Sequence, residues 1–228
     1  FVTVSTNPCG EIPLCPYDSC RLLALNLLSY VDNPFKKDAK FNFDKFRSHV
    51  AMAMRMMDDI IDLELEKVEQ IIEKIAADPE DEDVRRVELE LWKKILGMAQ
   101  KGRRTGLGIT AEGDMLAALG LVYGSEEAIA FAVEVQKTLA VEAYRASVKM
   151  AAERGAFPVY DAAKEKGNPM IARIREADPE LYAEMEKVGR RNIAMLTIAP
   201  TGTTSLMSQT TSGIEPVFRT VYKRRRKI

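Results

Sequence analysis

Long apolar runs are missing from this sequence. Nowhere do about 18 or more apolar residues follow one another, so no segment reads as a membrane-spanning helix. Charge of one sign is missing too: 33 Lys and Arg against 34 Asp and Glu leave a formal charge of −1. The one-signed field of a protein that grips a nucleic-acid backbone is therefore absent, and neither nucleic acid nor a membrane is expected as a partner. The first residue is Phe1 rather than Met, and no charged start with an apolar stretch and small-residue cleavage site follows it. A cytoplasmic location is the expectation. Cysteine is scarce, with Cys9, Cys15 and Cys20 confined to twelve residues. An odd, crowded count fits reduced thiols better than a secreted disulfide framework. The apolar opening Phe-Val-Thr-Val and the closing basic run from Lys223 to Lys227 read as the cut edges of a longer chain.

What is present is enough apolar residue, 46% of 228, to build the core of one domain or a part of one. Residues 1–20 start with β-branched residues and continue through Pro8, Gly10, Pro13 and Pro16, the pattern of a short strand entering a constrained loop. Asn42 is a good N-cap, and Phe43, Phe46, Val50, Met54, Met57 and Ile61 then recur at helical spacing, predicting a helix over 43–62. Two charge-rich helical stretches follow to residue 100, divided at Asp78-Pro79. Thr110 is the expected cap of a short helix ending near Gly120. A long helix should start at Ser125 and stop at Gly155, and another should run from Asp178-Pro179 to Gly189. The run from Ile193 to Ile198 has strand length and is broken by Pro200.

Two groups of residues carry possible chemistry. Asn7-Pro8-Cys9-Gly10-Glu11 places an amide, a thiol and a carboxylate at alternate positions, which share a face if the segment is extended. Such a face could hold a hydroxylated substrate, with Glu11 taking a proton, Asn7 fixing a hydroxyl and Cys9 supplying a reactive sulfur. The plainer alternative is a Pro/Gly turn with a buried thiol. The second group, Thr201-Gly202-Thr203-Thr204-Ser205, follows the predicted strand. It lacks the Gly-Lys pair of a P-loop, yet a strand turning through hydroxyl residues into a helix start offers N–H and O–H donors to an anion. An ordinary strand-to-helix turn is its alternative. A zinc site from Cys9, Cys15, Cys20 and His49 is set aside, because five and four residues separate the cysteines and His49 falls within a helix, where a surface position is expected.

The motif Asn7-Pro8-Cys9-Gly10-Glu11 closely resembles the finger loop of ribonucleotide reductases, in the wording of the adenosylcobalamin-dependent class II enzymes. The stretch from Pro200 to Thr203 resembles the class II loop that holds the substrate's phosphates, and Ser212 to Phe218 continues the likeness. Arg104-Thr105-Gly106-Leu107-Gly108 and Glu153 to Pro158 read like helical stretches of the same family, while the acidic region near 76–93 fits least. The resemblance implies an α/β fold: the C-terminal part of a ten-stranded α/β barrel, helix-rich here. Residues 1–228 would form one partial barrel domain, with the radical loop in 1–20, a helical region over 43–190, and a strand and phosphate loop over 193–218.

By the same resemblance, Cys9 would become the thiyl radical that takes the substrate's 3′ hydrogen, Glu11 would be the base at the 3′ hydroxyl, and Asn7 would bond the ribose hydroxyls. Cys20, eleven residues on, would be one half of the dithiol that reduces the substrate, its partner lying upstream in the missing remainder of the reductase. Thr201, Gly202, Thr203, Thr204 and Ser205 would be the phosphate donors. Cys15 has no counterpart and reads as a buried thiol. Adenosylcobalamin is the implied cofactor, with no residue assignable to it, and a thioredoxin-like protein or other dithiol is the implied reductant. The substrate would be a ribonucleoside di- or triphosphate. A class I catalytic subunit, or a catalytically silent nucleotide-binding relative, stays open as the alternative.

Overall fold

The computed structural model describes residues 2–221, 223 and 225; Phe1 and, from the closing basic run, Arg224, Arg226 and Lys227 lie outside the described residues. The chain opens with a hairpin in which β1 (Ser5–Thr6) pairs antiparallel with β2 (Pro13–Leu14). Next comes β3 (Arg21–Asn26), then a single 3-10 turn, Leu27–Tyr30, and a small antiparallel pair of β4 (Val31–Asp32) and β5 (Lys40–Phe41).

Helix α1 (Phe43–Ala76) starts where expected, with the Asn42 side chain accepting from the Lys45 N–H, but runs fourteen residues past the predicted end at 62. The reason lies in the sequence: no Gly or Pro interrupts 63–76, and Val68 and Ile75 extend the buried line of Ile61 at seven-residue steps. The break at Asp78-Pro79 then returns the chain as α2 (Glu82–Gly102), which packs along α1. Arg103 ends α2 in the left-handed region, at φ 44°.

The segment after it departs from expectation. Thr105 to Thr110 is a fully buried strand, β6, and not a loop or helical stretch. It pairs parallel with β3, Arg21 opposite Thr105 through Asn26 opposite Thr110. Thr110 does not cap the helix that follows, α3 (Glu112–Ala118); Ala111 stands at that position with φ 63° and no side-chain cap. Helix α4 (Glu126–Arg154) begins at its Ser125 cap and stops at Gly155 as predicted. A short helix not foreseen, α5 (Pro169–Ala177), is capped by Asn168, and α6 (Pro179–Val188) runs from its Asp178 cap to Gly189. The predicted strand near Ile193 makes only one parallel bridge, Leu196 to Leu107, extended by hydrogen bonds from Thr105 N–H to Ala194 and from Leu107 N–H to Met195.

The result is an α/β arrangement in which three parallel segments, β3, β6 and 194–197, are joined by helical crossovers, as parallel pairing requires. Side chains alternate across the sheet. Leu23, Leu25, Leu107 and Ile109 point to the helices and join the core around Phe46, Met54, Met57 and Leu139. The opposite face carries Cys20, Leu22 and Thr197 against two glycines. A methyl group on Gly106 would lie 2.5 Å from the Cys20 sulfur and 2.7 Å from Thr197 Cγ2; on Gly108 it would lie 2.2 Å from the Thr197 carbonyl oxygen. Glycine is in this strand because the neighbouring segment comes too close for any side chain.

One buried charge network locks the helices to the third segment. Asp58 of α1, fully buried, accepts from Arg103 Nε at 2.8 Å, Asn192 Nδ2 at 3.1 Å and Arg191 Nε at 3.2 Å. Burial alone would raise its pKa, but the hydrogen bonds and charges of Arg103, then Arg191, outweigh it and hold the carboxyl below its usual range.

Candidate active site

The hairpin and the glycine face of the sheet meet. The segment from Asn7 to Glu11 is not extended but a turn: the Gly10 N–H donates to the Asn7 carbonyl at 3.0 Å, and Gly10 has φ 80°, which suits glycine. The alternating-face argument therefore does not hold for Asn7, Cys9 and Glu11. Asn7 spends its side-chain oxygen inside the loop, accepting from the Ile12 N–H at 3.2 Å. Cys9 is exposed at the tip, Cys15 is buried, and all three cysteines are free thiols.

Glu11 is the more buried member of the motif. Both of its carboxylate oxygens are buried and accept no hydrogen bond from the protein. Its backbone carbonyl accepts from the Thr197 hydroxyl at 3.2 Å, which ties the finger to the third segment of the sheet. The carboxylate acts on Cys20. Burial pushes the Cys20 thiol up to about 11; the Arg104 and Arg21 guanidinium groups pull it down, while Glu11 and Asp18 push it further up. Thr197, which holds the Glu11 carbonyl, and the Cys20 sulfur both lie against Gly106, so the finger and Cys20 share this face of the sheet.

Around the sulfur the charges are paired. Arg104 Nε donates to Asp18 Oδ2 at 2.8 Å, and both side chains are almost fully buried. Arg21 grips Glu64 with Nε and Nη2, at 2.5 and 2.6 Å. Its Nη1 reaches the carbonyls of Ser19 and Arg104. None of Thr197, Gly106, Arg104 and Arg21 stood out in the sequence as a site residue; the local signal was two glycines between basic and β-branched residues, with partners up to 186 residues apart.

The hydroxyl loop lies at the other end of β6. Helix α7 (Gly202–Ser208) starts directly after Thr201. Thr201 is buried; its hydroxyl oxygen lies 2.7 Å from the Thr110 hydroxyl and accepts from the Gly213 N–H at 2.8 Å. The Thr204 and Ser205 hydroxyls donate back to the carbonyls of Thr201 and Gly202. Gly202 and Thr203 are exposed, and no side chain caps the first N–H groups of α7. The Thr201, Thr204 and Ser205 hydroxyls are therefore bonded within the loop, which leaves the N–H groups around 202–204 and the exposed Thr203 hydroxyl as the candidate donors. From Gly106, which lies against Cys20, to Thr110, which lies against Thr201, four residue steps along the strand span about 13 Å.

His49 is half-buried rather than on the surface, its Nδ1 3.1 Å from the Tyr30 hydroxyl within an aromatic cluster. Among the described residues no helix is long and apolar enough to cross a membrane.

Vitamin B12-dependent ribonucleoside-diphosphate reductases of Thermoplasma acidophilum and Mycobacterium tuberculosis are 34% and 32% identical to this chain over 220 residues. These alignments cover 96% of the chain but 23% and 25% of the relatives, so it spans about a quarter of their length. The alpha subunit of the Actinobacillus ureae class Id ribonucleotide reductase shares the fold at a TM-score of 0.56, with 21% identity, over 93% of this chain and 31% of that one. Because residues 3–227 match the family described as "Ribonucleotide reductase, barrel domain", this chain belongs to that family and forms part of its α/β barrel.

Proposed function

We propose that this chain is the part of a catalytic barrel in which a ribonucleotide is reduced to the 2′-deoxyribonucleotide, in an adenosylcobalamin-dependent enzyme. The observation that carries the reading is the glycine face, where Gly106 lies against the Cys20 sulfur and against Thr197, which holds the Glu11 carbonyl of a finger whose tip exposes Cys9. Two buried carboxylate oxygens without a donor cost roughly 1–3 kcal/mol each, so the Glu11 site favours a ligand bearing hydroxyl groups. A ribose supplies them, and Glu11 would hold the proton of the 3′ hydroxyl. Cys9 would take the 3′ hydrogen atom. Loss of the 2′ hydroxyl as water then consumes two protons and two electrons, which two thiols supply as they close a disulfide; Cys20 would be one of them. The N–H groups of 202–204 and the Thr203 hydroxyl would hold the phosphates, about 13 Å along β6 from the thiol, a span in keeping with a nucleoside polyphosphate.

Adenosylcobalamin, when bound, would supply the radical that takes the hydrogen atom from Cys9. What this chain offers it is an accessible sulfur; its single histidine is engaged by Tyr30, and no residue is assigned as a ligand. The relatives named as vitamin B12-dependent, at 32–34% identity, favour this class over the 26% identical "Ribonucleoside-diphosphate reductase subunit alpha" of Chlamydia pneumoniae, and their names favour a diphosphate substrate. The reductant would be a dithiol, such as a thioredoxin-like protein.

The test is Cys9→Ser in the full-length protein with added adenosylcobalamin. Deoxynucleotide formation should vanish while nucleotide binding stays within a few fold. Residual turnover above about one part in a thousand would overturn the radical role, since an essential covalent residue is worth many decades of rate.

A further inference from the structure

We infer that Arg21 is a positioning residue for Cys20, holding the chain on both sides of it so that the sulfur stays seated against Gly106. The inference rests on the reading of Cys20 as a reducing thiol and names the side chain that places it. Cys20 is the residue just before β3, and the Cys20 thiol donates to the Arg21 carbonyl at 3.8 Å. From the side chain of Arg21, Nη1 donates to the carbonyls of Ser19, at 3.2 Å, and Arg104, at 3.3 Å. Both carbonyls precede the first pair of the ladder, Arg21 with Thr105. The rest of the guanidinium is spent on Glu64 of α1, with Nε and Nη2 on its two oxygens at 2.5 and 2.6 Å. Such a planar fork fixes the guanidinium in orientation as well as in place. One buried side chain therefore ties together α1, the residue before Cys20 and the residue before β6. A methyl group on Gly106 would lie 2.5 Å from the Cys20 sulfur, so the sulfur is in contact with β6, and a displaced Ser19 or Arg21 backbone displaces it from that contact.

The shape of arginine is needed for this, and its charge is not enough. In Arg21→Lys the ammonium keeps the charge and can stay with Glu64, but one nitrogen cannot span from the carboxylate to both carbonyls. Were Arg21 only an ion-pair partner joining α1 to the sheet, lysine would preserve the parent's behaviour at Cys20. As a positioning residue it cannot be replaced so, and the sulfur should come loose although the charge beside it is unchanged. The release should also stay local. Cys15 is buried beside the hairpin and outside these contacts, so it reports any general loosening of the fold. Glu64→Asp keeps its charge too and withdraws the carboxylate by one methylene, which weakens the fork and leaves the two carbonyl bonds to Nη1 possible.

The measurement is the rate of iodoacetamide alkylation of Cys20 at fixed pH in the full-length protein, resolved from Cys9 and Cys15 by fragment mass spectrometry. Losing hydrogen bonds from a charged donor should raise the Cys20 rate about tenfold in Arg21→Lys, with the Cys15 rate within about twofold of the parent. Glu64→Asp, at a half-buried position, should raise the Cys20 rate by less, about threefold, and decides the matter if Arg21→Lys does not fold. In dithiol-supported turnover Arg21→Lys should lower kcat about tenfold and leave the nucleotide KM within about twofold. A parent-like Cys20 rate in Arg21→Lys, a Cys15 rate that rises in step with Cys20, or a loss confined to KM overturns the inference. A separate arm tests the reading beneath it. If Cys20→Ser retained dithiol-supported turnover, the redox role of Cys20 would fall, while the alkylation rates would still decide what Arg21 does.

Discussion

Replacing Gly108 with alanine puts a methyl group 2.2 Å from the carbonyl oxygen of Thr197 and 3.3 Å from its carbonyl carbon. Neither atom can rotate away, since both are backbone. To reach an ordinary 3.4 Å contact the two segments must part by 1.2 Å. The bonds between them, Leu107 N–H to Met195 at 2.7 Å and Thr197 N–H to Leu107 at 3.0 Å, would then stretch to about 4 Å, beyond useful range. Two lost hydrogen bonds at about 1 kcal/mol each, with overpacking of about 1–3 kcal/mol, give roughly 3–5 kcal/mol, a large share of an ordinary domain's stability. Gly106→Ala meets only side chains, Cys20, Thr197 and the half-exposed Leu22, and should cost less, about 1–3 kcal/mol. Gly97→Ala, inside α2 with nothing within 4 Å, should stabilise by up to about 1 kcal/mol. Urea unfolding of the full-length variants, followed by circular dichroism, orders the three. A Gly108→Ala protein within 1 kcal/mol of the parent, or less affected than Gly106→Ala, would refute the claim that backbone approach dictates these glycines.

Asp58→Ala should cost about 1–3 kcal/mol in the same assay, because Arg191 and Asn192 lose their carboxylate partner while Arg103 keeps Asp62 at 2.8 Å. The Asp58 carboxyl is held below its unfolded value, so its contribution is complete above the usual carboxylate range and is lost as pH falls through the lower folded value; the parent should lose stability toward acid and the variant should show less of that slope, as acid titration of the unfolding midpoint checks. Thr203→Val should weaken substrate binding by about 1–3 kcal/mol, read by equilibrium binding, and leave stability within about 0.5 kcal/mol because the residue is exposed.

The parts of the fold written in short-range chemistry were legible. Asn42, Ser125 and Asp178 each cap the helix they begin, and Gly155 and Gly189 end theirs, because capping needs only the next three or four residues. Asn168-Pro169 carries the same signature at the start of α5. The strand β6 was not legible, since Gly106 and Gly108 look like punctuation until Thr197 is known to lie against them. The helix α1 was cut short at 62 because its charged second half hides the sparse line Val68 and Ile75. In the candidate site, the motif's residues do not take the geometry their spacing suggested. Asn7, Cys9 and Glu11 were expected on one face; a turn instead sends Cys9 outward and buries the Glu11 carboxylate. The pairs Asp18–Arg104 and Arg21–Glu64 join residues 86 and 43 positions apart, and nothing local marks them among 67 charged residues.

The division of labour across the sheet follows from these same contacts. On the helical face Leu23, Leu25, Leu107 and Ile109 bury apolar surface, and any apolar residue of similar size would serve. On the glycine face almost nothing is interchangeable: Gly106 admits the Cys20 sulfur, Gly108 admits the Thr197 backbone, and Thr197 holds the carbonyl of Glu11. Thr197 therefore links β6 to the finger on the face away from the hydrophobic core. Thr197→Val isolates that link, because it keeps the Cγ2 methyl beside Gly106 and removes only the hydroxyl that the Glu11 carbonyl accepts. The geometry thus separates what packs the barrel wall against the helices from what ties the finger to it, although the two depend on adjacent residues of one strand.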